Sequence, residues 1–364
     1  RGRSAVIQEI ENQHRQAVAY SSDLLTAQQR QVEFALRLQS STASGLLSAT
    51  VPDDDRSRVY MVADFDDPRS RPPDTELTLS HAITLPEGAM QAVPVSRGHQ
   101  AFLLAPGVER EGVEDSINKL GPLSQTYREI YQTSEGLFYW QYVSLKNGLH
   151  SVYPGHGGYP AGYDPREREW YKAAMGADEF IWTLPFLDAS TRRLLLTAAV
   201  PVYDADGIPS GIAGIDVDIL KVLGDVHGRV GAVADTESYI VAVMDGEGEP
   251  FVSGTSAGTP VVRVIASSAY QDTGMAWDTT PEIPQLLSGE TPEIAQTISD
   301  LVVGRDGVRR MPHNGRESLW VYGRLQQVSS ALLYIVPVDE IESIAEQAQT
   351  AVSYAVFEQE RLAG

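Results

Sequence analysis

Apolar side chains recur at alternating steps of three and four along the first forty positions: Ile10, Ala17, Tyr20, Leu24, Ala27, Phe34 and Leu38, with Gln13 and Gln31 completing the series. No proline, and no glycine after Gly2, interrupts the run before Gly45. The spacing predicts one long helix with a heptad seam. The seam is mixed in polarity, which weakens it as a zipper. It suits packing against the helix's own domain, and dimerisation along another part of the same helix is compatible with that.

The texture changes after residue 50. "VPDDDRSR" is a turn-rich break, and "RVYMVADF" reads as a strand. Short apolar runs follow in "QAVPV" and "QAFLLA", and "SINKLGPLSQTYREIYQTS" reads as helical in pieces. "LFYWQYVSL" has the aromatic and β-branched content of a strand; "KNG" turns it and "LHSVYP" returns as its hairpin partner. Past the glycine-rich "GHGGYPAGY", the segments "FIWTLPF", "RRLLLTAAVPVYD" and "GIAGIDVDIL" read as further strands, with "ADGIPS" as a turn.

A second unit repeats the style. "YIVAVMDGEGEPFVSG" reads as a hairpin, "ESLWVYGRLQ" and "ALLYIVPV" as strands, and the residues from Asp339 as a closing helix. The predicted class is α+β. The predicted layout is a long helix over 1–49, a first sheet domain over 50–225, a second over 226–338 and a final helix over 339–364.

Composition narrows the function. At 364 residues, with 42% hydrophobic and 21% charged, the chain is long enough for two folded domains. A net charge of −21 without a Lys/Arg cluster argues against nucleic-acid binding. The absence of cysteine removes disulfides, thiolate metal sites and cysteine nucleophiles. No run of about 18 apolar residues occurs. The chain opens "RGRSAVIQEI" without an initiator Met and closes "SYAVFEQERLAG" in a helical pattern. The expectation is a soluble portion excised from a longer protein.

The densest chemistry lies in "YDPREREWY", Tyr163 to Tyr171. Asp164 has the chemistry of an N-cap, Pro165 that of N1, and Glu167 that of a capping-box partner. "REREWYKAAM" would continue the helix and Gly176 would end it. On that helix Arg168 and Tyr171 share a face while Trp170 points elsewhere. Capping does not explain why Tyr163, Arg168, Trp170 and Tyr171 are crowded together.

With its surroundings, this stretch resembles the double Cache sensor family, the extracytoplasmic sensing modules of chemoreceptors, sensor kinases and cyclase regulators. The stretch looks like the family's Y-D-P-R-x-R-x-W-Y signature. "FLDASTRRLLLTAAVPVYDADGIPSGIAGIDVDIL", "YIVAVMDGEGEPFVSG" and "LLYIVPVDEI" are similar to later parts of the family in order. The likeness is weakest from Arg56 to Gln125. It implies two PAS-like sheet domains on a long N-terminal helix, a ligand pocket in the first, and transmembrane helices flanking the portion seen here. By analogy with amino-acid-binding members, Arg168 and Trp170 would bind a ligand carboxylate and Tyr163 would line the pocket. Tyr171, Asp188 and Asp216 would bind the ammonium. Phe186 stands where a tyrosine is common, which implies altered side-chain selectivity.

Each acid also has a plain structural reading. Asp188 in "DASTR" suits a turn, Asp216 could cap the next helix, and Asp218 suits an exposed cap. His150 and His156 flank a loop, where exposed histidines usually have no further role. No nucleophile elbow, phosphate loop or metal-binding histidine pair occurs, so neither catalysis nor a cofactor is expected. The expected partner is a small molecule, an amino acid, with no nucleic acid. The alternatives are an amine, carboxylate or purine ligand, or an interaction module with no small ligand. The full-length protein is expected to be a membrane-anchored homodimer with this portion outside the cytoplasm, and the isolated portion a monomer or weak dimer.

Overall fold

The computed structural model of the chain describes residues 2–50, 59–85, 87–177, 179–228, 233–256, 258–270, 274–287, 291–325 and 330–363. The chain divides into two units. The larger comprises Gln28–Ile219 with Asp272–Pro281, and the smaller comprises Arg1–Ala27, Leu220–Gln271 and Glu282–Gly364. The first helix, Gly2–Ser48, is thus shared between them, and a short segment of the second half of the chain belongs to the larger unit.

The larger unit is built on a seven-stranded antiparallel sheet. Its strands run in the order Ala101–Leu104, Leu149–Tyr153, Phe138–Leu145, Pro209–Asp218, Leu194–Tyr203 and Ile181–Trp182, and Phe186–Leu187 also pairs with Leu194–Tyr203. The expected hairpin forms, with Gln141 opposite Tyr153 and Ser144 opposite His150. Gly148 closes its turn at φ +88°, a left-handed value that favours glycine. A three-stranded sheet of Glu76–Thr84, Met90–Ser96 and Gly155–His156 accompanies it. The helical pieces expected before the hairpin are Glu114–Leu120 and Leu123–Thr133.

The smaller unit has a six-stranded antiparallel sheet in the order Gln285–Leu287, Val261–Ser267, Glu237–Met244, Ser330–Pro337, Arg316–Arg324 and Gly307–His313. Its core gathers Val241, Val243, Trp320, Tyr322, Leu333 and Ile335. Val338–Ala363 is the closing helix. Among the described residues no helix is long and apolar enough to cross a membrane. The α+β class, the long first helix, the antiparallel sheets and the closing helix are as the sequence predicts; the three-stranded sheet is additional.

Three local expectations are corrected. Over its described residues, 59–65, "RVYMVADF" is not a strand: Val62–Asp66 is a short helix, with Asp64 accepting the Met61 N–H at 2.7 Å and Phe65 buried. "PFVSG" does not return as a strand. After the Asp245 turn only a bridge between Met244 and Pro250 forms, and Glu237–Met244 pairs instead with Val261–Ser267 on one side and Ser330–Pro337 on the other. The seam of the first helix is also displaced. Tyr20, Phe34 and Leu38 are exposed at 60%, 73% and 46%, whereas Ile10, Val18, Leu25, Val32, Leu36 and Ala43 are buried. In the larger unit the buried face is fixed by polar groups too. Gln39 donates to the carbonyls of Tyr142 and Gly214 at 2.8 and 3.2 Å, and Ser40 donates to that of Pro201 at 2.7 Å.

Candidate functional site

The signature stretch does not form one helix. Asp164 Oδ1 accepts from the Arg166 N–H at 2.9 Å and caps only a single turn, Pro165–Glu167. Arg168 then leaves the helical region, at φ −77° and ψ 143°, and a second helix, Glu169–Gly176, begins after it. Glu167 is therefore not the third residue of a continuing helix. It is exposed, its carboxylate lies 3.4 Å from Lys172 Nζ, and no capping box forms. Arg168 is the residue preceding the second helix, so it does not share a helical face with Tyr171.

This break delivers Arg168 to the site. Its Nη2 donates to the Leu187 carbonyl at 2.9 Å and its Nη1 to the Trp277 carbonyl at 3.2 Å, while its Nε is buried without a partner. The guanidinium lies 5.1 Å from the centre of the Trp277 ring and 5.8 Å from that of Phe186. Trp277 also packs on Tyr163, with ring centres 5.6 Å apart. Both Nη acceptors are neutral, and no carboxylate among the described residues pairs with Arg168.

Two buried carboxylates complete the charge pattern. Asp216 sits in the strand Pro209–Asp218 opposite Thr197. Its Oδ1 accepts from the Thr197 hydroxyl at 2.5 Å and from the Tyr142 hydroxyl at 3.0 Å. The sheet explains that reach. Tyr142 stands opposite Gly214, and a Cβ at Gly214 would lie 2.4 Å from the Tyr142 ring. The glycine lets the ring lie flat over the strand and extend to the neighbouring position on the same face. Asp188 closes the turn before Leu194–Tyr203, where its Oδ2 accepts from the Ser190 hydroxyl and from the Thr191 N–H and hydroxyl, at 2.8, 2.8 and 2.6 Å. Asp188 is thus a turn residue, as its plain reading has it, but only one of its oxygens is used. Among the described residues no donor reaches Asp188 Oδ1 or Asp216 Oδ2, and no Lys or Arg lies within ion-pair distance of either acid.

The electrostatics follow from burial. Asp216 is pushed up to about 8, first by desolvation and then by the charge of Asp188; hydrogen bonds from Thr197 and Tyr142 and the charge of Arg168 oppose this. The Tyr163 phenol is raised by burial, with Arg168 opposing and Asp188 and Asp216 reinforcing the shift. Tyr159 is raised by burial and by Tyr163, Asp188 and Asp216. These groups therefore share one field. Trp170 is buried with its ring 5.0 Å from that of Tyr142. Tyr171 packs behind it at 6.1 Å, where the charges of Arg166 and Asp164 reach it, and among the described residues its hydroxyl has no partner.

The structure revises other readings as well. Asp218 is not an exposed cap: it is buried and paired with Arg193 at 2.8 Å. His150 and His156 are not exposed loop residues but are buried, in the strands Leu149–Tyr153 and Gly155–His156. Burial pushes them down to about 3 and about 4 respectively. Tyr142, Tyr159, His156, Thr197 and Trp277 were not singled out as site residues. The alternation of "LFYWQYVSL" carries the signal for Tyr142, which shares a face with Trp140. Nothing local marks Trp277. Among the described residues no cluster of three or more acids and histidines could hold a metal.

Residues 126–223 match the family described as methyl-accepting chemotaxis protein-like, first PDC sensor domain. Methyl-accepting chemotaxis protein PscA of Pseudomonas syringae pv. tomato is 37% identical over 97 residues, covering 27% of this chain and 14% of that protein. PctB of Pseudomonas aeruginosa is 34% identical over 86 residues, covering 24% of this chain and 13% of that protein. The chain thus spans a small part of these relatives' length. A solved structure of the ligand-binding domain of the P. aeruginosa PAO1 amino acid chemoreceptor PctB in complex with L-Gln is similar at a TM-score of 0.39 and 14% identity, covering 88% of this chain and 97% of that one. That of the Pseudomonas fluorescens chemoreceptor CtaA with L-isoleucine is similar at 0.38 and 16%, covering 62% of this chain and 80% of that one. The matched stretch, which lies in the larger unit except for its last four residues, is similar to the first PDC sensor domain of methyl-accepting chemotaxis proteins.

Proposed function

We propose that the chain is the extracytoplasmic ligand-binding portion of a transmembrane signalling receptor and that its larger unit binds a free amino acid. The observation that carries this reading is the charge pattern: a cation, Arg168, whose hydrogen bonds among the described residues go to neutral carbonyls, and two buried carboxyl groups, Asp188 and Asp216, each with an oxygen that no donor among the described residues reaches. An α-amino acid supplies the complement of both. Its carboxylate would take the place of a carbonyl on Arg168, where a planar two-point bond is available, with Trp170 nearby. Its ammonium would lie between Asp188 and Asp216 near Tyr171, and Tyr163 and Phe186 would line the space around it. Without such a ligand a second buried charge beside Asp188 is unfavourable, and Asp216 answers by holding its proton.

An amine is the second reading. It would satisfy both acids and leave Arg168 on the carbonyls of Leu187 and Trp277. The role is binding, with no catalytic step. In the full-length receptor, flanking membrane segments would anchor the module and pair it as a homodimer. The isolated portion would be a monomer or weak dimer. A thermal-shift screen of the proteinogenic amino acids and simple amines tests the ligand class. At about 100 times Kd the stabilisation is about 2.7 kcal/mol. Shifts with amino acids support the reading, shifts with amines alone move it to the second, and no shift with either removes both.

A further inference from the structure

The aromatic wall that begins at Trp277 and Tyr163 continues away from Arg168. Tyr163 packs on Tyr159 at 5.0 Å, Tyr159 stacks on His156 at 5.0 Å and 21°, and His156 stacks on Trp140 at 3.7 Å and 13°. The charge of Asp188 reaches His156, so the same field extends along the wall. At its far end, among the described residues, Trp140 Nε1 and His156 Nε2 are buried without partners on side chains exposed by only 2% and 0%; His81 Nε2 and the Tyr139 hydroxyl, on rings that pack against Trp140 at 4.7 and 4.8 Å, are likewise unpaired.

Their hydrogen-bonding sense can be assigned. An indole N–H only donates. His156 Nδ1 lies 2.9 Å from the Pro154 carbonyl oxygen, which only accepts, so Nδ1 carries the hydrogen. Burial keeps the ring neutral near pH 7, because it titrates only at about 4. His156 Nε2 is therefore a bare acceptor beside the Trp140 donor. A ligand side chain that reaches them leaves a buried polar group unpaired, which is costly, unless it pairs both.

We propose that Trp140 and His156 form the side-chain subsite of the amino-acid pocket and select a side chain that both donates and accepts, a carboxamide or hydroxyl, over an aliphatic one of similar size. This rests on the reading of Arg168, Asp188 and Asp216 as the amino-acid site. A carboxamide oxygen would accept from Trp140 Nε1, and its N–H would donate to His156 Nε2. An aliphatic side chain would shield both atoms from water and pair neither. A cationic side chain would leave Trp140 without an acceptor.

The test is calorimetric titration of asparagine against leucine and threonine against valine, with alanine as the reference lacking a polar side chain. In the wild-type protein the polar member of at least one pair should bind about tenfold or more tightly. Trp140→Phe, which keeps an aromatic ring, should shrink that ratio several-fold. Leucine and valine binding as tightly as their polar counterparts would overturn the proposal. So would an unchanged ratio in a folded Trp140→Phe protein. The wild-type ratio decides by itself if the variant fails to fold. Alanine binding without polar preference rejects only this subsite; no binding by any of the five rejects the amino-acid site and the subsite together.

Discussion

Arg168 and Trp277 are joined twice: the Trp277 carbonyl accepts from Nη1 at 3.2 Å, and the Trp277 ring covers the guanidinium at 5.1 Å. The partners are 109 residues apart in sequence. Trp277 lies in the segment Asp272–Pro281, which belongs to the larger unit although its neighbours in sequence on both sides belong to the smaller. A residue from the second half of the chain thus helps to hold the cation on which the proposed carboxylate contact depends.

The first prediction concerns that ring. Trp277→Ala should weaken amino-acid binding by about threefold to thirtyfold, the range for a partly desolvated cation–π contact. It should cost little stability, because Trp277 is only half-buried. Titration and melting of the variant check this. Unchanged affinity would remove Trp277 from the site.

The broken signature helix separates two roles. Asp164→Ala should lower stability by about 0.5–2 kcal/mol through the lost cap and leave affinity unchanged. Glu167→Ala should stay within about 0.5 kcal/mol of the wild type, because its exposed carboxylate caps nothing. Denaturant melts of the two variants check this; equal losses would restore a continuous capped helix.

Asp216 makes binding depend on pH. Its folded pKa of about 8 lies far above the ordinary carboxylate value, about 3.9. From about pH 4 to 8 the folded protein therefore holds a proton that the unfolded chain has released. The stability this confers is fully present below about pH 4 and is lost as pH rises through about 8. Asp216→Asn should flatten that dependence in ligand-free melts. An ammonium needs the carboxylate form, so binding at neutral pH should release a proton, and Kd should rise by up to about tenfold per unit as pH falls below 8. Titration in buffers of different ionisation enthalpy measures the release. Binding without proton release, and at constant Kd between pH 6 and 8, would contradict the assignment.

The regular architecture was legible because it rests on local patterns. The uninterrupted first helix, the hairpin around Gly148 and the strands ending at Tyr203 and Asp218 follow from periodicity and turn residues. The sequence also pointed to Tyr163, Arg168, Asp188 and Asp216, which the fold brings into one electrostatic neighbourhood, and to Trp170, which packs on Tyr142. What it hid depends on distance or on small polar residues. The buried face of the first helix includes Ser21, Ser22, Gln39 and Ser40, which a search for apolar spacing passes over. Trp277 reaches Arg168 only through the tertiary fold, and His156 is buried by pairing with Val95 from a strand far away in sequence.

The account stands or falls on whether Arg168 and Asp216 grip the two ends of one zwitterion. Calorimetric titration of the best-binding L-amino acid into the wild type, Arg168→Ala and Asp216→Asn at pH 8 measures this directly. The expected result is 1:1 binding by the wild type and a loss of about 2–5 kcal/mol in each variant, the range for removing one partner of a buried charge pair, with both proteins folded. Wild-type affinity in both folded variants would contradict the account and leave the signature stretch as a capped turn followed by a helix.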